Sequence, residues 1–333
     1  MASIAIAGAG VMGRLLAWQL ARAGHRVSVV DPAGGPAQPG AAAFVAAGML
    51  SPLAEQEHAG PDVVALGWRS LALWPAIAAA LGRPGLVRTE GSLLLAHGGD
   101  GGAAQRVLAR LGGAPEPLNR AALQMLEPDV APDLRAWWLP GEGQLLPHEL
   151  LAALAAQAPG VDGRWGRPAA VVQPHRVATE DGQRLDADWV IDTRGLGAQA
   201  DLPGLRGVRG EIIKLHAPGV RLGRPLRLLH PRHRVYLVPR PGDVIVVGAS
   251  EVESEDRSPV SLRSAVELMA AAHSVLPALA EARIVGLDTQ LRPALPDHRP
   301  RIDHQPGLLR VNGLFRHGWL LAPALAEQVL AHV

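Results

Sequence analysis

The chain contains no cysteine. That absence excludes disulfides, thiolate nucleophiles, zinc–thiolate sites and iron–sulfur clusters together. Lysine occurs only at Lys214, so nearly all the basic charge is arginine, and there are 2 phenylalanines and 1 tyrosine, Tyr236. This scarcity beside an excess of alanine and arginine reads as GC-rich coding bias, so alanine-rich runs overstate helix propensity. There is no run of like charges and the formal net charge is +1, which argues against a nucleic-acid groove. No uninterrupted apolar stretch reaches the about 18 residues of a membrane span. The first apolar stretch lacks a preceding basic segment and is broken by glycine, so it reads as a strand rather than a signal peptide. A soluble cytoplasmic protein without a membrane span is the expectation.

What is present suits a folded chain with a large core. It has 333 residues, 48% hydrophobic and 19% charged, enough for one big domain or two interleaved ones. Its first thirty-one residues carry the strongest pattern: an apolar run 2–7, then Gly8-Ala9-Gly10-Val11-Met12-Gly13, a helical stretch 11–23, and a second apolar run ending on Asp31. Gly8 permits the tight turn, Gly10 lets a pyrophosphate approach the backbone, and Gly13 lets the helix pack on the strand. The helix N-terminus offers free N–H groups to phosphates, and Asp31 can accept hydrogen bonds from a ribose. The alternative is a tight strand-to-helix connection that binds nothing.

Further along, periodicity predicts helices over 63–81, 103–111, 147–157, 261–279 and, opening at Pro323, 322–332. Strands are expected over 91–96, 169–173, 189–192, 211–216, 234–239, 244–248 and 308–313. The turn Thr193-Arg194-Gly195 suits a second close approach to a nucleotide, and so do the small residues at 44–50. Nucleotide-binding elements thus fall at both ends and in the middle, with β-rich pieces inserted between. The expected fold is mixed α/β, with a Rossmann-like domain from 1–80, 140–205 and 286–333. An interleaved antiparallel-sheet substrate domain is expected from 81–139 and 206–285.

Seven motifs in order give the chain a family likeness. They are the Gly8–Gly13 turn with Asp31, Ala46-Ala47-Gly48-Met49-Leu50-Ser51-Pro52, Glu142-Gly143-Gln144-Leu145 and Arg209-Gly210-Glu211. Val235-Tyr236-Leu237-Val238-Pro239-Arg240, the run 291–297 (Leu-Arg-Pro-Ala-Leu-Pro-Asp) and the run 313–323 around Arg316-His317-Gly318-Trp319 complete the set. Along essentially its whole length the chain resembles the FAD-dependent D-amino-acid oxidase superfamily, and within it the glycine oxidases of thiazole (thiamine) biosynthesis. The resemblance implies that Gly8, Gly10, Val11, Met12, Gly13, Asp31, Ala47, Gly48, Met49, Val171 and Gly195 serve the FAD. It implies that Leu314, Arg316, His317, Gly318, Trp319 and Leu320 wrap the flavin's pyrimidine end. Arg292 is implied to bind the substrate carboxylate, with Tyr236 and Arg316 beside it. Without cysteine the FAD is expected to be non-covalent. In departure from the family, Asp31 stands where a glutamate is commoner, His317 where an asparagine is, and Ala294 where a small polar residue is.

The implied activity is oxidation of glycine or a similar small amino acid by hydride transfer to FAD. Reoxidation by O2 would give glyoxylate or imine, ammonia and hydrogen peroxide. The family's habit points to a homo-oligomer. Arginine suits the anchoring task because its planar fork pairs a carboxylate through two hydrogen bonds and stays charged. Each assignment has a plainer alternative: a salt bridge of Arg292 with Asp288 or Asp297, a core hydroxyl for Tyr236, a surface ion pair for Arg316, a satisfied histidine at His317, and a solvated or paired Lys214. His216, His230 and His233 fit no metal spacing. Other functions stay open: a D-amino-acid or sarcosine dehydrogenase with another acceptor, an inactive flavin-binding subunit, or a nicotinamide dehydrogenase.

Overall fold

A computed structural model describes residues 1–57, 59–111, 115–230 and 234–333. Its first large sheet has the strand order Arg301–Gln305, Leu308–Asn312, Trp189–Asp192, Ser3–Ala7, Arg26–Asp31, Asp162–Trp165. Every neighbouring pair is parallel except the first. Parallel strands need covering on both faces. The helix Val11–Arg22, the helix Pro61–Ala80 and the C-terminal helix Gly318–Leu330 supply one cover, burying Leu15, Leu16, Trp74, Leu321 and Leu325 in a common core with Ile4 and Ile6. The other face carries a small three-stranded sheet, with Val172, Val177 and Leu185 packed against Ala5 and Val190.

The second large sheet runs Arg283–Ala294, Arg206–His216, Val244–Gly248, Arg234–Arg240, Leu226–Leu229, Ser92–Ala96, Arg135–Leu139, Glu116–Leu118. Its pairing is antiparallel apart from Leu226–Leu229 with Ser92–Ala96. One face packs on the helix Leu262–Val275 through Leu268, Ala272 and Val275 against Ile213, Leu237 and Val247. The architecture is mixed α/β, as expected: a Rossmann-like parallel sheet with an interleaved, mainly antiparallel one.

The structure corrects three expectations. The helix expected over 261–279 starts where Ser261 accepts the N–H of Ser264 at 3.2 Å, but ends at Val275. Pro277 disfavours helical backbone in the residue before it, and Leu276 sits at φ −124°, ψ 87°. The terminal helix opens at Gly318, ahead of the expected 322, and holds Pro323 in its interior. A proline there removes the N–H that would bond the carbonyl four residues back. That carbonyl, on Trp319, instead accepts Trp74 Nε1–H at 2.8 Å. Finally, the long strand Arg283–Ala294 had no expected counterpart. It is the edge strand of its sheet, the place where Pro293 costs no ladder bond.

The helix Pro61–Ala80 has the length and hydropathy to cross a membrane. Asp62 and Arg69 interrupt it, and Val63, Trp74 and Ile77 face the core.

Candidate active site

A cavity of about 1800 Å³ lies between the two large sheets, with walls from both. At one end is the glycine turn. Gly8 has φ +97°, and a Cβ there would come within 2.7 Å of the Thr193 carbonyl oxygen. A Cβ on Gly13 would overlap the Gly8 carbonyl, so helix and strand touch backbone to backbone. Beside Gly10 the space is open: a Cβ would meet only Ala41 Cβ, at 3.6 Å. The first helical bond runs from Arg14 N–H to Gly10 O at 3.0 Å, leaving the preceding N–H groups without intrahelical acceptors, and no side chain caps them. Buried Arg14 holds the turn by donating Nε–H to Ala9 O at 2.7 Å.

Asp31 accepts Ala9 N–H at 2.6 Å and Ala33 N–H at 2.9 Å, one on each oxygen. A carboxylate retains further lone pairs for a ribose. Thr193 Oγ1 donates toward Gly8 O at 2.8 Å and Ala7 O at 3.1 Å, tying the second turn to the first.

Gly8, Gly10, Val11, Met12, Asp31, Ala47, Gly48, Met49 and Gly195 line this one cavity, as do Leu314, Arg316, His317, Gly318, Trp319 and Leu320. Gly13 lies behind the wall in its packing role. Val171 is a correction: it is 48% exposed and outside the cavity, whose wall here is Pro168 and Ala169. Val172 is buried in the core, and alternation along a strand turns its neighbour outward.

Tyr236 and Arg292 line the same cavity. Arg292 donates Nη1–H to Ser250 O at 3.1 Å; among the described residues no carboxylate lies within ion-pair distance of it. Neither alternative partner pairs with it: Asp288 is engaged by Lys214 at 2.9 Å, and Asp297 accepts Arg299 N–H at 3.1 Å. Lys214 is therefore the paired lysine. Burial pushes the Arg292 guanidinium down from its usual value, opposed by Tyr236 and Glu251. Burial also raises the Tyr236 phenol, keeping it a neutral donor, although Arg292, Arg227, Arg240 and Arg316 act against the rise. The hydroxyl makes no hydrogen bond among the described residues. A Cβ on Gly210 would overlap the Arg292 fork, and one on Gly248 the Tyr236 phenol.

Sequence reasoning missed the residue that organises this end. Buried Glu55 closes a short helix, Pro52–Glu55, directly after the Ala46–Pro52 motif. Its Oε1 accepts Arg227 Nη2–H at 3.0 Å. Its Oε2 accepts Arg316 Nη2–H at 2.8 Å and faces His317 Nε2 at 2.9 Å. Burial disfavours the Glu55 charge, yet Arg316, Arg227 and His317 outweigh it and hold the carboxyl well below its ordinary range. Arg316 reaches on to Glu251, at 3.0 Å; it forms ion pairs, but at the cavity wall rather than on the open surface. Glu142, from another motif, supports the helix by accepting Ala54 N–H at 3.0 Å and Ser92 Oγ–H at 2.6 Å. Burial raises its carboxyl. The available signal for Arg227 was a lone charge in an apolar run, Leu226-Arg227-Leu228, whereas Glu55 stands in a mixed run, Leu53-Ala54-Glu55-Gln56-Glu57, and gives no such signal.

The cavity fits FAD. Its volume exceeds the about 300–1,000 Å³ of pockets for drug-sized ligands, the room beside Gly10 suits a pyrophosphate, and buried His317 Nδ1 has no hydrogen-bond partner. Among the described residues no group of His, Asp and Glu could hold a metal ion; His233 lies outside them.

Comparison with known proteins agrees with this geometry. A relative from Rhizobium etli named as a thiamine biosynthesis oxidoreductase, ThiO, is 43% identical over 327 residues, covering 98% of this chain and 94% of the relative. The crystal structure of glycine oxidase from Geobacillus kaustophilus superposes with a TM-score of 0.85 at 28% identity, covering 99% of this chain and 93% of that one. That of iminodiacetate oxidase (IdaA) from Chelativorans sp. BNC1 gives 0.83 at 27% identity, covering 99% and 94%. The model of the DAO family, FAD dependent oxidoreductase, matches residues 3–332. The chain belongs to the DAO family of FAD-dependent oxidoreductases and is an enzyme similar to ThiO and to glycine oxidase.

Proposed function

We propose that the protein oxidises glycine, or an amino acid about as small, with O2 as the final acceptor. The balanced overall reaction is glycine + H2O + O2 → glyoxylate + NH3 + H2O2. Bound FAD supplies the acceptor for the hydride that leaves the substrate Cα. The glycine turn and the N-terminus of Val11–Arg22 receive the pyrophosphate, and Asp31 the adenosine ribose. The N-terminus of Gly318–Leu330 lines the cavity and would offer its partial positive charge to the pyrimidine end of a bound flavin.

The observation that carries the substrate reading is Arg292, a cavity-wall guanidinium with no carboxylate partner among the described residues. A half-buried cation without a charge partner is costly, and a substrate carboxylate removes that cost by a charge-assisted forked pair. Tyr236 donates its O–H to the same carboxylate. Held at these two points, the small substrate keeps its Cα in a fixed position for transfer.

The test is stoichiometry: oxygen consumed, peroxide, ammonia and glyoxylate formed with glycine as sole substrate. Equal amounts of each support the reading. Turnover with an artificial acceptor but without oxygen uptake contradicts the O2 assignment, and no glycine turnover with either contradicts the substrate.

A further inference from the structure

The substrate end of the cavity holds more cations than a one-carboxylate substrate needs. Three guanidiniums act on the Tyr236 phenol from the cavity wall: Arg292, Arg227 and Arg316. The fourth near it, Arg240, is outside the lining and is spent on Gln144 Oε1 at 2.9 Å and Pro239 O at 2.8 Å. Against the three wall cations stand two carboxylates. Glu55 pairs with Arg227 at 3.0 Å and with Arg316 at 2.8 Å. Glu251 pairs with Arg316 at 3.0 Å. One positive charge is left over, and it lies on Arg292.

Both carboxylates also reach Arg292 electrostatically, so a ligand seated on that fork feels them. Glu55 is buried and braced from several sides. Glu251 differs: its side chain is 45% exposed, and among the described residues Arg316 is its one ion-pair partner. It lies in the segment following Val244–Gly248, where Ser250, whose carbonyl takes Arg292, is pinned by Glu211 through Oγ–H at 2.9 Å. Glu251 thus directly follows the residue that bonds the anchor.

We infer that Glu251 is a specificity-determining residue: by occupying Arg316 it restricts the site to ligands with a single carboxylate and turns away those with two. A second ligand carboxylate would meet the charges of Glu251 and Glu55 instead of a free guanidinium. Rejecting the wrong partner by like charge is as effective as attracting the right one. This rests on the reading of Arg292 as the carboxylate anchor.

The test uses the oxidised FAD holoenzyme and two carboxylates that cannot be oxidised as amines, propionate and malonate, titrated by perturbation of the flavin visible spectrum. Wild-type protein should bind propionate more tightly than malonate. In Glu251→Gln the malonate-to-propionate affinity ratio should rise by about tenfold, and Glu251→Asp, which keeps the charge, should restore discrimination. An unchanged ratio in Glu251→Gln, a wild type that prefers malonate, or a Glu251→Asp that behaves like Gln would each overturn the inference. If neither ligand perturbs the flavin, the inference falls together with the Arg292 anchor. If propionate binds but glycine neither reduces the flavin nor is consumed, only the amine-oxidation reading falls.

Discussion

At the glycine-turn end of the cavity the chain presents backbone: N–H groups at the start of Val11–Arg22, the bare flank of Gly10, and an Asp31 already fixed by two main-chain donors. At the other end it presents long charged side chains drawn from distant stretches: Glu55 pairs with Arg227 and Arg316, and Arg292 has no carboxylate partner among the described residues. A backbone site depends on local geometry and tolerates little change in shape. A site of paired charges depends on bookkeeping, and removing one member changes what the others can bind.

The sharpest way to break this contrast is at Gly10. Gly10→Val should fold, because the protein leaves room there, but lose FAD at least about tenfold, read as the flavin-to-protein absorbance ratio. Gly13→Val, which drives a side chain into the Gly8 carbonyl, should fail to fold. A yellow, active Gly10→Val would show that backbone approach is not what binds the cofactor.

At the other end, Arg292→Ala should keep its FAD, since the hydrogen bond of its fork goes to Ser250 O. The apparent KM for glycine should rise by about a hundredfold or more, the scale of losing a buried charge-assisted pair. Normal glycine kinetics would contradict the anchoring role.

Those two ends were also unequally legible in the sequence. The glycine turn, Asp31 and the small-residue motifs announce themselves by spacing, because each is one local backbone shape. Arg292, Tyr236 and Arg316 were found only through the family likeness. Glu55 was missed because its meaning comes from Arg227, Arg316 and His317, all far away in the chain. Among the elements, the first helix and the parallel strands Ser3–Ala7, Arg26–Asp31, Trp189–Asp192 and Leu308–Asn312 follow from periodicity, whereas Asp162–Trp165 and Arg283–Ala294 do not: an edge strand half open to solvent keeps no clean alternation. The early start of the last helix was hidden by Pro323, whose missing N–H is compensated from another helix by Trp74.

Glu55→Gln sharpens the comparison through stability. It leaves Arg316 and Arg227 short of a partner at a largely buried site, which should cost about 2–3 kcal/mol in denaturant unfolding of the FAD-loaded protein. Because the Glu55 carboxyl is lowered in the folded state, its contribution is full above the ordinary value of 4.5 and lost as pH falls through the lower folded value. Glu55→Gln should flatten that acid dependence; an equally steep acid limb would assign it to other carboxylates. The smallest effect belongs to Trp74→Phe. It strands the Trp319 carbonyl and should cost about 1–2 kcal/mol in the same unfolding measurement, with the Arg292-dependent KM unmoved.

The most direct measurement is the visible spectrum of the purified holoenzyme under anaerobic conditions, before and after glycine. The flavin bands should bleach on addition of glycine and return when air is admitted. Bands that stay unchanged with glycine would contradict the proposed substrate, and bands that bleach but do not recover in air would contradict oxygen as the acceptor.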